Sequence, residues 1–267
     1  MTTTDDLAFI HRLADAAGEV IRPYFRRKIA IADKGGERLE NGPETFDPVT
    51  AADKGAEAAI RALIEQGHPQ DGILGEEFPE KTGSNGRLWV IDPVDGTRAF
   101  ITGQTQWGTL IALNENGTVT LGVLDQPITR ERFIGTAASA ELHSPDGVTK
   151  LAVRPCASLR EAVLMSTHPW SYFDAAEQVA FRHLTDAAMM SRFGGDCYAY
   201  GLLAMGFVDL VVEARLKPWD IQALIPIVEG AGGIITDWNG GPCAAGGRVI
   251  AAGDKRVHAE ALKFLSA

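Results

Sequence analysis

The sequence predicts a mixed α+β protein built in two halves. Three observations carry that expectation. Hairpin signals crowd residues 88–153, strand and helix alternate from 162 onward, and composition is that of an ordinary globular chain. Of 267 residues, 45% are hydrophobic and 22% charged, enough to bury a substantial core.

Apolar residues at helical spacing (Leu7, Ile10, Leu13, Ala14, Ala17, Ile21) predict a first helix from Asp5 to Lys28. Residues 33–48 are rich in Gly, Glu, Asn and Pro without periodicity and read as a long loop. A second helix follows over 51–66, with Thr50 and Asp53 at capping-box spacing. Leu88–Ile91 is a short apolar run delivering Asp92, and reads as a buried strand. Strands are expected at 107–113 and 118–124, joined at Asn116-Gly117, and then near 131–135, 140–143 and 149–153. The second half places strands at 162–166, 188–192, 208–213, 233–236 and 248–251. Helices alternate with them at 173–186, 197–206, 219–231 and 255–265, the third stopped by Gly232-Gly233. The join is expected at Pro145-Asp146-Gly147, dividing the chain into 1–145 and 146–267 as parts of one unit.

Acidic residues outnumber basic ones by 35 to 25, a formal charge of −10. That balance disfavours nucleic acid and anionic membrane as partners. Three separated cysteines (Cys156, Cys197, Cys243) argue against a disulfide scaffold or a zinc ribbon. The polar N-terminus has no signal-peptide pattern, so a cytoplasmic location is expected.

Four acidic segments hold the chemistry: Asp47–Asp53, Gly75-Glu76-Glu77, Asp92-Pro93-Val94-Asp95-Gly96-Thr97 and Lys217-Pro218-Trp219-Asp220. In the third, Pro93 ends the strand ladder and Asp95 returns close to Asp92. Carboxylates that close repel unless a cation lies between them. Oxygen-only ligation suits Mg²⁺, and the absence of histidine from these segments argues against zinc. Taken singly, each has a plainer reading. Asp92–Thr97 is a strand and an Asp-Gly turn, Asp53 a helix cap, Asp220 a first-turn carboxylate, and Glu76-Glu77 a solvated loop.

Together and in this order, the segments resemble the inositol monophosphatase-like phosphatases. The motifs are Gly75-Glu76-Glu77, Trp89-Val90-Ile91-Asp92-Pro93-Val94-Asp95-Gly96-Thr97, and Trp219-Asp220 leading to Ala231-Gly232-Gly233. The resemblance implies a layered αβαβα sandwich of the inositol monophosphatase/fructose bisphosphatase type, a homodimer, and two or three Mg²⁺ per active site. It implies that Glu76, Asp92 and the Val94 carbonyl hold one ion, and Asp92, Asp95 and Asp220 a second. It further implies that Asp53, Thr97 and Glu76 serve catalysis by activating water, and that the amides of Gly96 and Thr97 hold the phosphate. Family members often carry a lysine shortly before the segment matching Asp47–Asp53. The nearest here is Lys34, followed by what looks like an insertion, and its role stays open.

The form Gly194-Gly195-Asp196-Cys197-Tyr198, with Leu216-Lys217-Pro218 before Trp219-Asp220, is similar to the histidinol-phosphatase branch. Histidinol phosphate carries an ammonium and an imidazole, and a cation in a partly dry pocket needs carboxylates. Asp196 and Glu213 are the expected partners, though Asp196 also suits a cap on the helix from Cys197. The expected substrate is therefore a small phosphate monoester, L-histidinol phosphate first. The alternatives are an inositol or sugar phosphate, or a non-catalytic partner protein that kept the fold.

Overall fold

The computed structural model describes residues 3–35 and 48–265. Helix α1 (Thr4–Ile21) starts at a reciprocal capping box between Thr3 and Asp6 and buries Phe9, Ile10, Leu13, Ala14 and Ala17 along one face. The expected extension to Lys28 fails because Pro23 has no amide to continue the ladder, and the chain leaves through a single 3₁₀ turn. Strands β1 (Ala32–Asp33) and β2 (Pro48–Val49) pair antiparallel. Residues 36–47, which include Asp47 and most of the expected loop, lie outside the described residues. Helix α2 (Ala51–Gly67) carries the Thr50–Asp53 capping box anticipated from spacing.

The first sheet then runs through β3 (Gly72–Gly75) and β4 (Arg87–Asp95). A five-residue helix, α3 (Thr97–Ile101), intervenes. The sheet continues with β5 (Gly108–Glu115), β6 (Thr118–Gln126), β7 (Glu131–Thr136), β8 (Ala140–Ser144) and β9 (Gly147–Lys150). These seven strands lie in sequence order, parallel only between β3 and β4. At the β5–β6 turn, Asn116 and Gly117 both take the left-handed conformation that a tight hairpin demands. The Pro145–Gly147 turn joins β8 to β9 within this sheet, so the crossing to the second sheet comes later, after Lys150. The sequence pattern placed it early because a hairpin turn and an inter-sheet linker share the same turn residues.

The second sheet contains β10 (Val163–Ser166), followed by helices α4 (Pro169–Tyr172) and α5 (Ala175–Ala187), then β11 (Met190–Phe193), helix α6 (Tyr198–Ala204) and β12 (Leu210–Leu216). The expected helix over 219–231 is broken into α7 (Pro218–Ile221) and α8 (Leu224–Gly230). Strands β13 (Ile234–Asp237) and β14 (Gly247–Ala252) and helix α9 (Lys255–Leu265) complete the chain. The strand order is β11-β10-β12-β14-β13, with β14 antiparallel to both neighbours.

Three apolar clusters define the layers. One joins α1 and α2 to the outer face of the seven-stranded sheet, through Ile10, Ile60, Trp89 and Ile111. The central one lies between the sheets around α6 and α8, with Phe133, Leu203, Ile227 and Val249. The third packs α5 and α9 on the far face of the five-stranded sheet, through Phe181, Leu184, Val257 and Ala261. The order is α, β, α, β, α. Helix α8 approaches so closely that a Cβ on Gly122 would strike the Ala223 carbonyl, and one on Gly135 the Ile227 amide. Glycine there lets the helix rest on the sheet backbone, which brings α7 over the end of β4.

Candidate metal centre and substrate pocket

Strand β4 ends in an irregularity. Its register against β5 shifts between Asp92 and Asp95, and Thr109 Oγ1 donates to the displaced Pro93 carbonyl at 2.8 Å. A break of this kind re-aims side chains, and here it turns both carboxylates to one side. Asp92 accepts the Val94 amide at 2.9 Å, and Asp95 accepts the Cys197 amide from the start of α6 at 2.8 Å. Asp220, in the single turn of α7, accepts the Lys217 amide at 2.7 Å. Oxygen atoms of Asp92, Asp95 and Asp220 all lie within 4.8 Å of one another. Burial pushes all three pKa values up, and for Asp92 the neighbouring Glu76, Asp95 and Asp220 push further. Such a group is stable as a set of anions only around a positive charge. With oxygen the sole donor type, it fits a hard divalent cation.

Glu76 follows β3 and lines the same cavity. Lys34 donates to Glu76 Oε1 at 2.7 Å and to Glu77 Oε1 at 2.6 Å. Burial works against its charge, yet the two carboxylates hold the Lys34 ammonium above its ordinary range. This answers the question the sequence left open. Lys34 lies 42 positions from Glu76, too far for any local pattern to link them. Behind them the fully buried Glu57 accepts the Glu77 amide and the Arg61 guanidinium, each at 2.7 Å, and fixes the turn.

Asp53 serves two neighbours. Its Oδ2 accepts the Thr50 amide and hydroxyl at 2.9 and 2.5 Å, which is the capping role. Its Oδ1 faces the Thr97 hydroxyl at 3.4 Å, and that hydroxyl also donates to the Val94 carbonyl at 3.0 Å. Asp53, Val94 and Thr97 are therefore in one group beside the carboxylate cluster. Gly96 holds φ at 85°, and a Cβ there would approach the Gln106 carbonyl oxygen to 2.9 Å and the Asp196 Cβ to 3.1 Å. Only glycine allows the turn from Asp95 into α3.

Asp196 and Glu213 line the same cavity, of about 260 Å³. Asp196 has φ of 44°, and its carboxylate accepts no hydrogen bond among the described residues. Helix α6 takes Cys197 as its N-cap without a side-chain cap bond, so the capping alternative for Asp196 is not realised. Glu213 accepts the Thr167 amide at 2.7 Å and hydroxyl at 2.8 Å. Burial raises both acids to about 8, with Asp95 adding repulsion on Asp196 and Asp196 on Glu213. Thr167 escaped sequence reading because no local pattern links it to a residue 46 positions away. Tyr200 also lines the cavity, and its hydroxyl is buried without a hydrogen-bond partner among the described residues.

A cluster of carboxylate oxygens suited to a hard cation, opening into a small cavity between two sheets, fits a phosphatase of layered αβαβα type. The chain matches the inositol monophosphatase family over residues 4–266, and it belongs to that family. It is 44% identical to a bifunctional phosphatase IMPL2 of Arabidopsis thaliana over 95% of this chain and 72% of that one. It is 36% identical to a histidinol-phosphatase of Chlorobaculum parvum, covering 89% of this chain and 87% of the other. Among solved structures, an inositol monophosphatase from Zymomonas mobilis superposes with a TM-score of 0.85 at 43% identity over the whole of both chains. Among the described residues, no helix is long and apolar enough to cross a membrane.

Proposed function

We propose that this phosphatase hydrolyses L-histidinol phosphate to L-histidinol and phosphate, using magnesium. The observation that carries the substrate reading is that Asp196, partly exposed, and Glu213, buried, line the same cavity as the carboxylate cluster. An uncharged polyol gives them nothing to neutralise, whereas an ammonium or imidazolium does. The likeness to a histidinol-phosphatase supports the same reading.

Glu76, Asp92, Asp95, Asp220 and the second lone pair of the Val94 carbonyl would hold the magnesium ions. Bound there, magnesium lowers the pKa of water and neutralises charge on the phosphate and the leaving oxygen. The chain's own groups do the rest. Thr97, oriented by Val94 and facing Asp53, holds the attacking water in line with the phosphorus. The amides of Gly96 and Thr97 hold the phosphate oxygens, and Asp196 and Glu213 hold the cationic end.

The test is phosphate release from L-histidinol phosphate and from myo-inositol 1-phosphate, each with magnesium and with chelator. The expected result is a magnesium-dependent preference for the histidinol ester of about a hundredfold in kcat/KM, or ~2.7 kcal/mol of transition-state discrimination. Preference for the inositol ester would discard the substrate while leaving the metal site in place. An inositol phosphate is the second reading, favoured by the 43% identity to the Zymomonas mobilis inositol monophosphatase.

A further inference from the structure

Helix α2 presents two acids on one face. Asp53 and Glu57 lie one turn apart, the first facing Thr97 and the second set behind the turn that follows β3. Glu57 is fully buried, and both of its oxygens are used. Oε2 accepts the Glu77 amide and Oε1 accepts Arg61 Nε, each at 2.7 Å. Arg61 also donates to the Phe78 carbonyl at 3.1 Å and lays its guanidinium over the Phe78 ring, 5.7 Å from the centroid. The pair therefore grips the turn at two successive residues. Glu76 is the residue just before that grip. Its own amide donates to the Ile91 carbonyl at 3.3 Å, one residue before Asp92. The backbone is thus fixed on both sides of the Glu76 Cα, to the strand that carries Asp92 and to the helix that carries Asp53. The fit is close, because a Cβ on Gly75 would fall 2.0 Å from Glu57 Oε1. A carboxylate and a guanidinium buried together rarely add stability over apolar groups of the same size. What this pair supplies is a fixed place for the backbone that aims Glu76.

We infer that Glu57 and Arg61 are positioning residues for the metal position that Glu76 serves, and that they set its affinity through the backbone of the turn. The inference rests on the reading of Glu76 as a magnesium ligand. Groups that orient a ligand before the ion arrives are worth about 10- to 100-fold in metal affinity. Asp92, Asp95 and Asp220 have supports of their own in the amides of Val94, Cys197 and Lys217. Loss of Glu57 should therefore be felt through Glu76 and not through them.

The experiment follows magnesium binding by calorimetry in the wild-type enzyme, Glu57→Gln, Glu76→Gln and the double variant. Glu57→Gln keeps the shape of the side chain, but its amide nitrogen must face one of the two donors that Glu57 accepts. The expected result is magnesium affinity at least about tenfold weaker in Glu57→Gln. Added to Glu76→Gln, the change should cost nothing more, because Glu57 acts only through Glu76. The magnesium concentration for half-maximal activity should rise by the same factor in Glu57→Gln, while KM for the ester at saturating magnesium stays within about twofold of wild type. Equal magnesium affinity in wild type and Glu57→Gln would overturn the inference. So would losses that add in the double variant, since they would mark Glu57 as a support of the fold at large. If Glu57→Gln does not fold, Arg61→Lys decides in its place. It keeps the charge, but one nitrogen replaces two that serve separate partners. Weaker magnesium binding in Arg61→Lys supports the inference, and unchanged binding refutes it. A Glu76→Gln variant with wild-type magnesium affinity would bring down the ligand reading, and this inference with it.

Discussion

Two sets of acids line one cavity, and they differ in how their charge is arranged. Asp92, Asp95 and Asp220 converge until their oxygens lie within 4.8 Å of one another, each held by a backbone amide. Asp196 and Glu213 remain outside that convergence and sit in separate supports, one on a left-handed turn and one against Thr167. Converging acids call for a single concentrated positive charge, which a divalent ion supplies. Separated acids suit an organic cation, whose charge is spread over several N–H donors. Burial raises the pKa of both sets, so it is geometry that tells them apart.

The sharpest way to break the comparison is at the centre of the first set. Asp92→Asn should lower kcat on every phosphate ester by about three orders of magnitude or more, since it removes a ligand the other acids share. A folded Asp92→Asn with full activity would refute the metal assignment. Next in size, magnesium should raise the thermal midpoint and chelator lower it, because the cluster is self-repelling without a cation. A midpoint indifferent to magnesium would mean the acids are already neutralised by other means. Asp196→Ala should then erase preference and spare chemistry, raising KM for histidinol phosphate at least about tenfold more than for the inositol ester. Equal effects would merge the two sets into one.

The smallest effect concerns pH. Asp196 and Glu213 titrate near 8 in the ligand-free protein, well above the unfolded value near 4. Folded pKa values raised in this way contribute stability that is fully present below about 4 and is lost as pH rises through about 8. The thermal midpoint of the metal-free, substrate-free enzyme should therefore fall between pH 6 and pH 9, with a shallower slope in Asp196→Asn. Conversely, bound histidinol stabilises the ionised acids, so its binding at pH 7 should release protons. Calorimetry in two buffers of different ionisation enthalpy measures that release.

Much of this was legible in the sequence where local pattern and tertiary structure agree. The β5–β6 hairpin announced itself through Asn116-Gly117, and α2 through the capping-box spacing of Thr50 and Asp53. Legibility failed where elements were short or where packing overrode pattern. Strand β3 has four residues and α3 five, too few to show a period. The break between α7 and α8 is hidden because apolar spacing continues across it, while Gln222 there turns to Asn114 and the Ala244 carbonyl. In the site, the acidic motifs lie in compact local segments and could be found. Lys34 and Thr167 act through contacts assembled from distant parts of the chain, and no local signal marks them.

The contact from the Cys197 amide to Asp95 spans 102 positions, and Asp220 lies further still along the chain. During synthesis, Asp92 and Asp95 emerge from the ribosome long before either the amide that steadies one of them or the third member of their cluster. A nascent chain therefore has no finished carboxylate cluster until its second sheet has been made and docked. Recovery of activity after dilution from denaturant should therefore lag behind the return of secondary structure.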